Sequence, residues 1–436
     1  MGEPGQGGLR GLAHSGLAAA RWLVALVLVA VGASAFAIAF RISLSSFFQA
    51  MYGQPDVVSA MRGLPVGVRI VAPAIGGLLA GLLARAAARK GPPAGMGEVM
   101  EAVAFGRVKL SMLGTLLRSA GTWLTLAGGA SVGREGPLIQ FGGSLGKIVS
   151  RTMGLPPESR QAMIAAGTAA GFAAAYNTPL AALMFVLEVV TGIVALDSIL
   201  PAFAATALAT LLMRAAVGGG PLYGARAFKL VSPYELALYA VLGLVAAPAA
   251  VGFRWLLSAT EQGFARTRLP QPWRAGLGGL MLGLLLTVVP DVSGNGYEPL
   301  RAVIDGAYPV ALLLLLPVAK ILGTSLSVGS GSPGGVFTPT LLLGASLGAL
   351  LGHGGALLLG PGVIGPAGSY ALVGMAAVTA AATHAPAMSA ILVFELSGDY
   401  DIVLPLLLAT AIATTLSRRL EPESIYSAEL KRSAAT

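Results

Sequence analysis

The stretch that decides the fold reads Gly133-Arg134-Glu135-Gly136-Pro137, and it returns in altered form as Gly335-Val336-Phe337-Thr338-Pro339. Both copies begin with a glycine, end with a proline and lie between apolar stretches. Glu135 places a carboxylate in surroundings where charge is expensive. A carboxylate in an apolar, membrane-like chain marks a functional site by default, and we take Glu135 as the first candidate.

The two copies belong to a longer internal repeat. Gly142, Ser144 and Gly146 match Gly344, Ser346 and Gly348 at the same offset as the first pair. A second block matches residues 167–188 to residues 374–395, with a coincident proline and a coincident glutamate. Internal repeats of this kind indicate a transporter architecture, whose site lies near the midplane at the repeat interface. The sequence alone leaves open whether the halves are parallel or inverted.

The composition indicates a polytopic membrane protein. Hydrophobic residues make up 55% of the 436, charged residues only 11%, and the mean hydropathy is +0.79. Too few charges remain to cover a soluble domain of this size. Apolar segments recur between Trp22 and Leu416, which predicts an all-α fold. Several are short or contain glycine and proline, and such broken helices occur only where the backbone lines protein or a cavity.

The net charge of +9 orients the chain rather than recruiting a nucleic acid. Short cytoplasmic loops carry an excess of Lys and Arg, and one loop concentrates five of them: Arg85, Arg89, Lys90, Arg107 and Lys109. We therefore expect this loop and both mildly basic tails in the cytoplasm of an inner-membrane protein. The chain has no cysteine and three scattered histidines, so we expect neither a metal site nor a cofactor.

The repeat also predicts how the chain is divided. We expect a cytoplasmic tail at 1–20, a first membrane repeat at 21–217 and a linker at 218–235. A second membrane repeat follows at 236–418, and a short C-terminal segment at 419–436. The first apolar stretch contains Ala33-Ser34-Ala35, which is similar to a signal-peptidase site. Its long apolar core favours a first membrane helix over a cleaved signal.

The paired motifs predict an anion site. Pro137 and Pro339 fit the first turn of a helix, where a missing N–H costs nothing. A helix start offers unpaired N–H donors and about half a positive charge. Two such starts that converge would bind a small anion without a full countercharge. The alternative for each motif alone is close helix packing through small residues. The repeat and the embedded Glu135 favour the anion site.

These motifs resemble the signature pair of the CLC family of chloride channels and transporters. The resemblance extends over about residues 20–427 and includes residues 175–180 and the closing Ile425-Tyr426-Ser427. It implies two inverted repeats with broken helices, in a homodimer with one pore per subunit. It also implies that Glu135 is the gate, a carboxylate that occupies an anion site and moves out when protonated. The implied anion-binding groups are the amides of Val336 and Phe337 with the Tyr426 hydroxyl, and the amides around Arg134, Glu135 and Gly136.

The chain departs from the family pattern at three places. Ala94 stands where relatives have a serine that reaches the anion, although a shift of two residues would put Met96 there. Val189 follows Glu188 where proton-coupled relatives often have a second acid. Glu188 could serve the proton path instead, but its repeat counterpart Glu395 favours a structural role. We also expect the chain to lack the cytoplasmic nucleotide-binding modules of many relatives.

Three functional hypotheses follow. The first is transport of chloride or another small anion through a glutamate-gated pore, by passive conductance or by chloride/proton exchange, with fluoride or nitrate preference as an alternative. The second is an intramembrane enzyme that uses Ser330 or Ser332 with His384 or His353. The sequence places no Gly-x-Ser-x-Gly elbow and no acid beside either histidine, which disfavours it. A purely structural membrane protein would leave the buried Glu135 without a cause.

Overall fold

The computed structural model describes residues 6–89, 95–106, 110–192, 196–224, 228, 230–360 and 362–435. Within these ranges the chain is helical, and seven helices are long and apolar enough to cross a membrane. Ala94 and the loop residues Lys90, Arg107 and Lys109 lie outside the described residues. The expected all-α membrane fold is confirmed.

The first half contains nine α-helices: α1 Gln6–Tyr52, α2 Val57–Gly63, α3 Val66–Ala88, α4 Met96–Ala104, α5 Met112–Ala127, α6 Glu135–Thr152, α7 Pro157–Tyr176, α8 Pro179–Phe185 and α9 Leu196–Val217. A π-helical turn, Val186–Thr191, continues α8. The second half, in the part of the chain that is described, contains α10 Glu235–Arg266, α11 Gln271–Val288, α12 Tyr297–Ile304, α13 Val310–Gly329, α14 Phe337–Leu359, α15 Ala367–Thr383, α16 Pro386–Ser397, α17 Val403–Leu420 and α18 Ile425–Ala435.

Helices α7 and α15 lie at the centre of the two halves. All residues from Ala162 to Tyr176 and from Gly368 to Thr383 are buried. A helix that is apolar on every side is buried on every side. Most of these residues are alanine or another small residue, which lets neighbouring backbones approach closely.

The repeat is visible as matched contacts. Helix α6 packs on α7 through Gly142 and Gly167, and α14 packs on α15 through Gly344 and Gly374. A Cβ at Gly142 would collide with the carbonyl group of Gly167, and one at Gly344 would collide with that of Gly374. The repeat found in the sequence is thus a repeat of packing, as expected for the two-repeat fold that the family resemblance implied.

The helix ends repeat as well. Asn177 ends α7 and His384 ends α15, both with left-handed backbone at φ 60° and 59°. Left-handed residues commonly end helices, and asparagine adopts this conformation more readily than most residues. Helix α9 ends at Val217 and α10 begins at Glu235, next to the bounds expected for the linker. The division of the chain into domains stays a prediction.

Candidate functional site

The site forms where the loops of the two halves cross. The N–H of Gly133 donates to the carbonyl of Gly335 at 2.7 Å, and the N–H of Gly335 donates back at 2.8 Å. A Cβ on either glycine would overlap the carboxylate of Glu135. Glycine at both positions therefore leaves the space that the carboxylate occupies at the crossing, and a side chain at either one would displace it. Helices α6 and α14 both begin two residues later, at Glu135 and Phe337.

The carboxylate of Glu135 is held by the helix start of the other half. Its Oε1 accepts the N–H of Phe337 at 3.0 Å, and its Oε2 accepts the hydroxyl of Thr338 at 2.9 Å. Glu135 is only 2% exposed. A buried carboxylate is stable only when hydrogen bonds replace its lost hydration. The start of α14 supplies such hydrogen-bond donors. The carboxylate thus occupies a place where a small anion would fit.

A second layer fixes Thr338. Its Oγ1 lies 2.9 Å from the hydroxyl oxygen of Tyr176, which comes from the end of α7. A threonine hydroxyl has one proton, and Glu135 receives it, so the Tyr176 hydroxyl donates to Thr338. The ring of Phe337 packs edge-on against Phe172 and Tyr176, with centroids 5.6 Å away in both cases. The N–H that binds Glu135 is therefore rigidly placed.

A cavity of about 330 Å³ opens beside Glu135. We call it the Tyr426 cavity, and its lining includes Glu135, Gly136, Val336 and Tyr426. The ring of Tyr426 packs against Phe185 with centroids 5.9 Å apart. These four residues were separate candidates in the sequence, and the structure brings them around one cavity.

Arg134 faces a different cavity of about 280 Å³. We call it the Arg41 cavity; its charged lining residues are Arg41, Asp56, Arg134, Glu298 and Arg301. The guanidinium carbon of Arg134 lies 4.7 Å from the centroid of the Tyr297 ring, within cation–π range. Three arginines face two acids there, so the lining is net basic and favours the approach of anions.

The two cavities lie along the same stretch of chain. On α5, Thr122 lines the Tyr426 cavity and Leu126, one turn later, lines the Arg41 cavity. At the loop crossing, Glu135 lines the Tyr426 cavity and its neighbour Arg134 lines the Arg41 cavity. The carboxylate therefore lies where the linings of the two cavities meet.

Glu188 makes a different kind of contact. Its carboxylate accepts the N–H groups of Ala387 and Met388 at 3.2 and 2.7 Å, at the start of α16. Its counterpart Glu395 accepts those of Leu180 and Ala181 at 3.0 and 2.8 Å, at the start of α8. Each half thus caps a helix of the other, and neither glutamate is among the residues that line the two cavities. This contact favours the structural interpretation of Glu188, whose role in a proton path stays a prediction.

Thr338 and Tyr176 are site residues that the sequence patterns did not indicate. Thr338 stands inside the second motif, and a hydroxyl next to a helix-start amide is a recognisable donor. Tyr176 is in the family-like stretch at 175–180 but carries no local signal of its own, because its partner is far away in the chain.

The serine–histidine hypothesis finds no support among the described residues. The Ser330 hydroxyl donates to the carbonyl of Ser327 at 2.8 Å. His384 caps α15, and its Nε2 lies 3.4 Å from the Ser417 hydroxyl, which itself donates to the Ala381 carbonyl. These are packing and capping contacts, which leave no activated nucleophile.

Comparisons with known proteins agree with this geometry. The family model described as voltage gated chloride channel matches residues 76–418. A ClcB-like chloride channel protein of Ralstonia nicotianae is 40% identical over 380 residues, which cover 86% of this chain and 88% of that one. A solved slow cyanobacterial Cl-/H+ antiporter superposes with a TM-score of 0.86 at 25% identity, covering 95% of this chain and 98% of that one. A solved CLC-type fluoride/proton antiporter superposes with a TM-score of 0.76 at 26% identity, covering 94% and 97%.

The family model covers most of the chain, and the similarity to the Ralstonia protein extends over nearly all of its length. Members of this family are channels and transporters, so the enzyme hypothesis falls away. The chain belongs to the voltage-gated chloride channel family, the CLC family.

Proposed function

We propose that this protein moves chloride, or a similar small anion, across a membrane through a path that the Glu135 carboxylate opens and closes. One observation carries the proposal: a buried carboxylate occupies the helix-start amide of Phe337 where the linings of two cavities meet. Amide dipoles can replace part of an anion's hydration without holding it as tightly as a buried arginine would, and conduction needs such reversible binding.

The gate follows from competition for one set of donors. The charged carboxylate holds the Phe337 N–H and the Thr338 hydroxyl. Protonation removes the charge that strengthens these bonds, so the side chain can leave and an anion can take its place. In the open state the amides of Val336 and Phe337 and the Tyr426 hydroxyl would face the anion, and those near Arg134 and Gly136 would line its exit toward the Arg41 cavity.

The test is chloride flux from liposomes that contain the purified protein. Glu135→Ala removes the gate and Glu135→Gln removes its charge, so we expect flux in both to lose its dependence on pH. Exposed Glu158→Gln is the matched control, because it removes a carboxylate from the first turn of α7. Unchanged, pH-dependent flux in both Glu135 variants would rule out the gate.

Passive conductance and chloride/proton exchange remain the two candidate modes. Val189 at the expected second acid favours passive conductance, and the likeness to a solved Cl-/H+ antiporter favours exchange. A pH electrode outside chloride-loaded liposomes separates them. Proton movement against its own gradient, driven by chloride, would exclude the passive mode.

Anion preference is open at the same site. The segment around Ala94 has no serine where many relatives have one that reaches the anion. One similar solved structure is a fluoride/proton antiporter. We propose chloride as the first substrate, with fluoride and nitrate as alternatives. Parallel flux measurements with the three anions at equal gradients would rank them.

We also propose a homodimer in the inner membrane with both termini in the cytoplasm. Helices α9 and α17 expose large apolar side chains, including Leu200, Phe203, Leu404 and Leu407, which suit lipid or a second subunit. The chain lacks cysteine, so single cysteines introduced in the tails give clean reports of sidedness. Cysteines placed along α9 would cross-link only if two copies meet there.

A further inference from the structure

A second glutamate lies along the same cavity as Glu135. Glu429 belongs to α18, one turn beyond Tyr426, and lines the Tyr426 cavity. Its Oε1 accepts the N–H of Met96 at 2.8 Å, at the start of α4. The N-cap of that helix is Gly95, which has no side chain to cap it. The α4 start therefore takes its hydrogen-bond partner from the C-terminal helix.

This contact has the geometry of the Glu135 contact. In both contacts, a carboxylate from one element accepts the first N–H of another helix. In both, a nearby glycine leaves space for that carboxylate. A Cβ at Gly95 would overlap the Glu429 carboxylate, as one at Gly335 would overlap that of Glu135. Glu188 and Glu395 also cap helices, but they do so away from the two cavities.

The surroundings of Glu429 allow it to move. Glu429 is half-buried, so water can hydrate its carboxylate when it leaves Met96. Arg118 lines the same cavity and lies within electrostatic range of both Glu429 and Glu98. Glu261 also lines the cavity, from α10. A displaced Glu429 therefore has a cation and solvent nearby, whereas Glu135 is only 2% exposed.

We propose that Glu429 is a second gating carboxylate, which closes the α4 side of the anion path while Glu135 closes its centre. The inference rests on the proposed anion transport. An anion that enters the Tyr426 cavity competes with Glu429 for the Met96 amide, and the displaced carboxylate can pair with Arg118 or take up water. Glu429 would thereby set the anion concentration at which this side of the path fills.

The test compares Glu429→Ala and Glu429→Gln with Glu423→Gln as the matched control. Glu423 pairs with Lys431 at 2.5 Å and does not line the Tyr426 cavity. Chloride binding is measured by calorimetry in detergent, and chloride flux from liposomes is measured against concentration. We expect Glu429→Ala to lower the chloride concentration for half-saturation by about 3- to 10-fold, because a charged competitor is removed. Glu429→Gln should shift it in the same direction, and Glu423→Gln should leave it unchanged.

The outcomes separate the two proposals. Unchanged half-saturation in both Glu429 variants, with normal flux in the unsubstituted protein, would overturn the second gate and leave the first intact. A lower melting temperature in Glu429→Ala that Glu429→Gln restores, with no shift in chloride binding, would assign Glu429 to capping alone and also overturn it. Absence of anion flux in the unsubstituted protein would instead reject the proposed transport.

Discussion

The two crossing loops have matching glycines and prolines, but they differ at the three residues between them. Residue 135 begins α6 with a carboxylate, and its counterpart, residue 337, begins α14 with a phenyl ring. The carboxylate of the first loop accepts the N–H of its own counterpart in the second. The glycines on both sides serve this one contact. The symmetric scaffold thus becomes a site through asymmetric side chains, because Glu135 supplies the carboxylate on one loop and Thr338 supplies a hydroxyl donor on the other.

The largest expected effect tests whether the two halves pack alike. Gly142→Ala and Gly344→Ala each place a methyl group against backbone of the neighbouring helix. We expect each to destabilise the fold by about 3 kcal/mol, since neither backbone can yield. Yield and melting temperature of the purified protein measure it. Gly354→Ala on α14 meets open space and is the control. If Gly344→Ala were tolerated while Gly142→Ala destabilised the protein, the two halves would not pack alike.

The next prediction sharpens the asymmetry at the gate. Thr338→Val keeps the shape of the side chain but removes a hydrogen-bond donor to the charged Glu135. This loss should destabilise the closed conformation of Glu135 by about 1.5–3 kcal/mol. The carboxylate then takes up a proton more readily, so half-maximal flux should move to higher pH. Tyr176→Phe removes only the bond that orients Thr338 and should move it less.

Thr168→Val is the matched control for this pair, because the Thr168 hydroxyl is buried and bonds only its own helix at Ile164. Flux is recorded against pH in liposomes for all three variants. An equal shift in Thr168→Val would mean that the effect comes from general packing and not from the donor to Glu135.

A third prediction uses the reciprocal caps, where the halves are alike. Glu188→Gln and Glu395→Gln each weaken two hydrogen bonds to a helix start. We expect similar losses of about 1–2 kcal/mol in stability, with chloride flux retained. Melting temperature and chloride-driven proton movement are measured together. Loss of proton movement in Glu188→Gln alone would make Glu188 part of a proton path and end its equivalence with Glu395.

The smallest expected effect concerns the basic cavity. Arg41→Gln removes one of the three arginines that line the Arg41 cavity. We expect a fall of about 2-fold in flux at low ionic strength, which an impermeant salt should reduce by screening. The control is Arg151→Gln, because Arg151 is exposed and lies at the end of α6 that is far from Glu135. A decrease that persists at high ionic strength would point to a direct contact rather than attraction at a distance.

The amino-acid sequence alone predicted the all-α membrane fold, the internal repeat and the place of Glu135. Composition and apolar length decide the first, because lipid accepts few other structures. The two glycine–proline motifs reveal the internal repeat and the place of Glu135. Glycine and proline have local backbone requirements, so their positions can be interpreted from the sequence alone. The helix starts at Glu135 and Phe337 follow from the same local chemistry.

Only the tertiary structure decided which groups meet. Tyr176 reaches Thr338, Glu188 reaches α16, and Glu429 reaches Met96, over separations that no local pattern encodes. Each of these contacts depends on how helices cross, and crossing is set by the close fit of small residues summed over whole interfaces. The sequence therefore identified a costly carboxylate, and the packing of the two halves determined which amide holds it and which side chains support that contact.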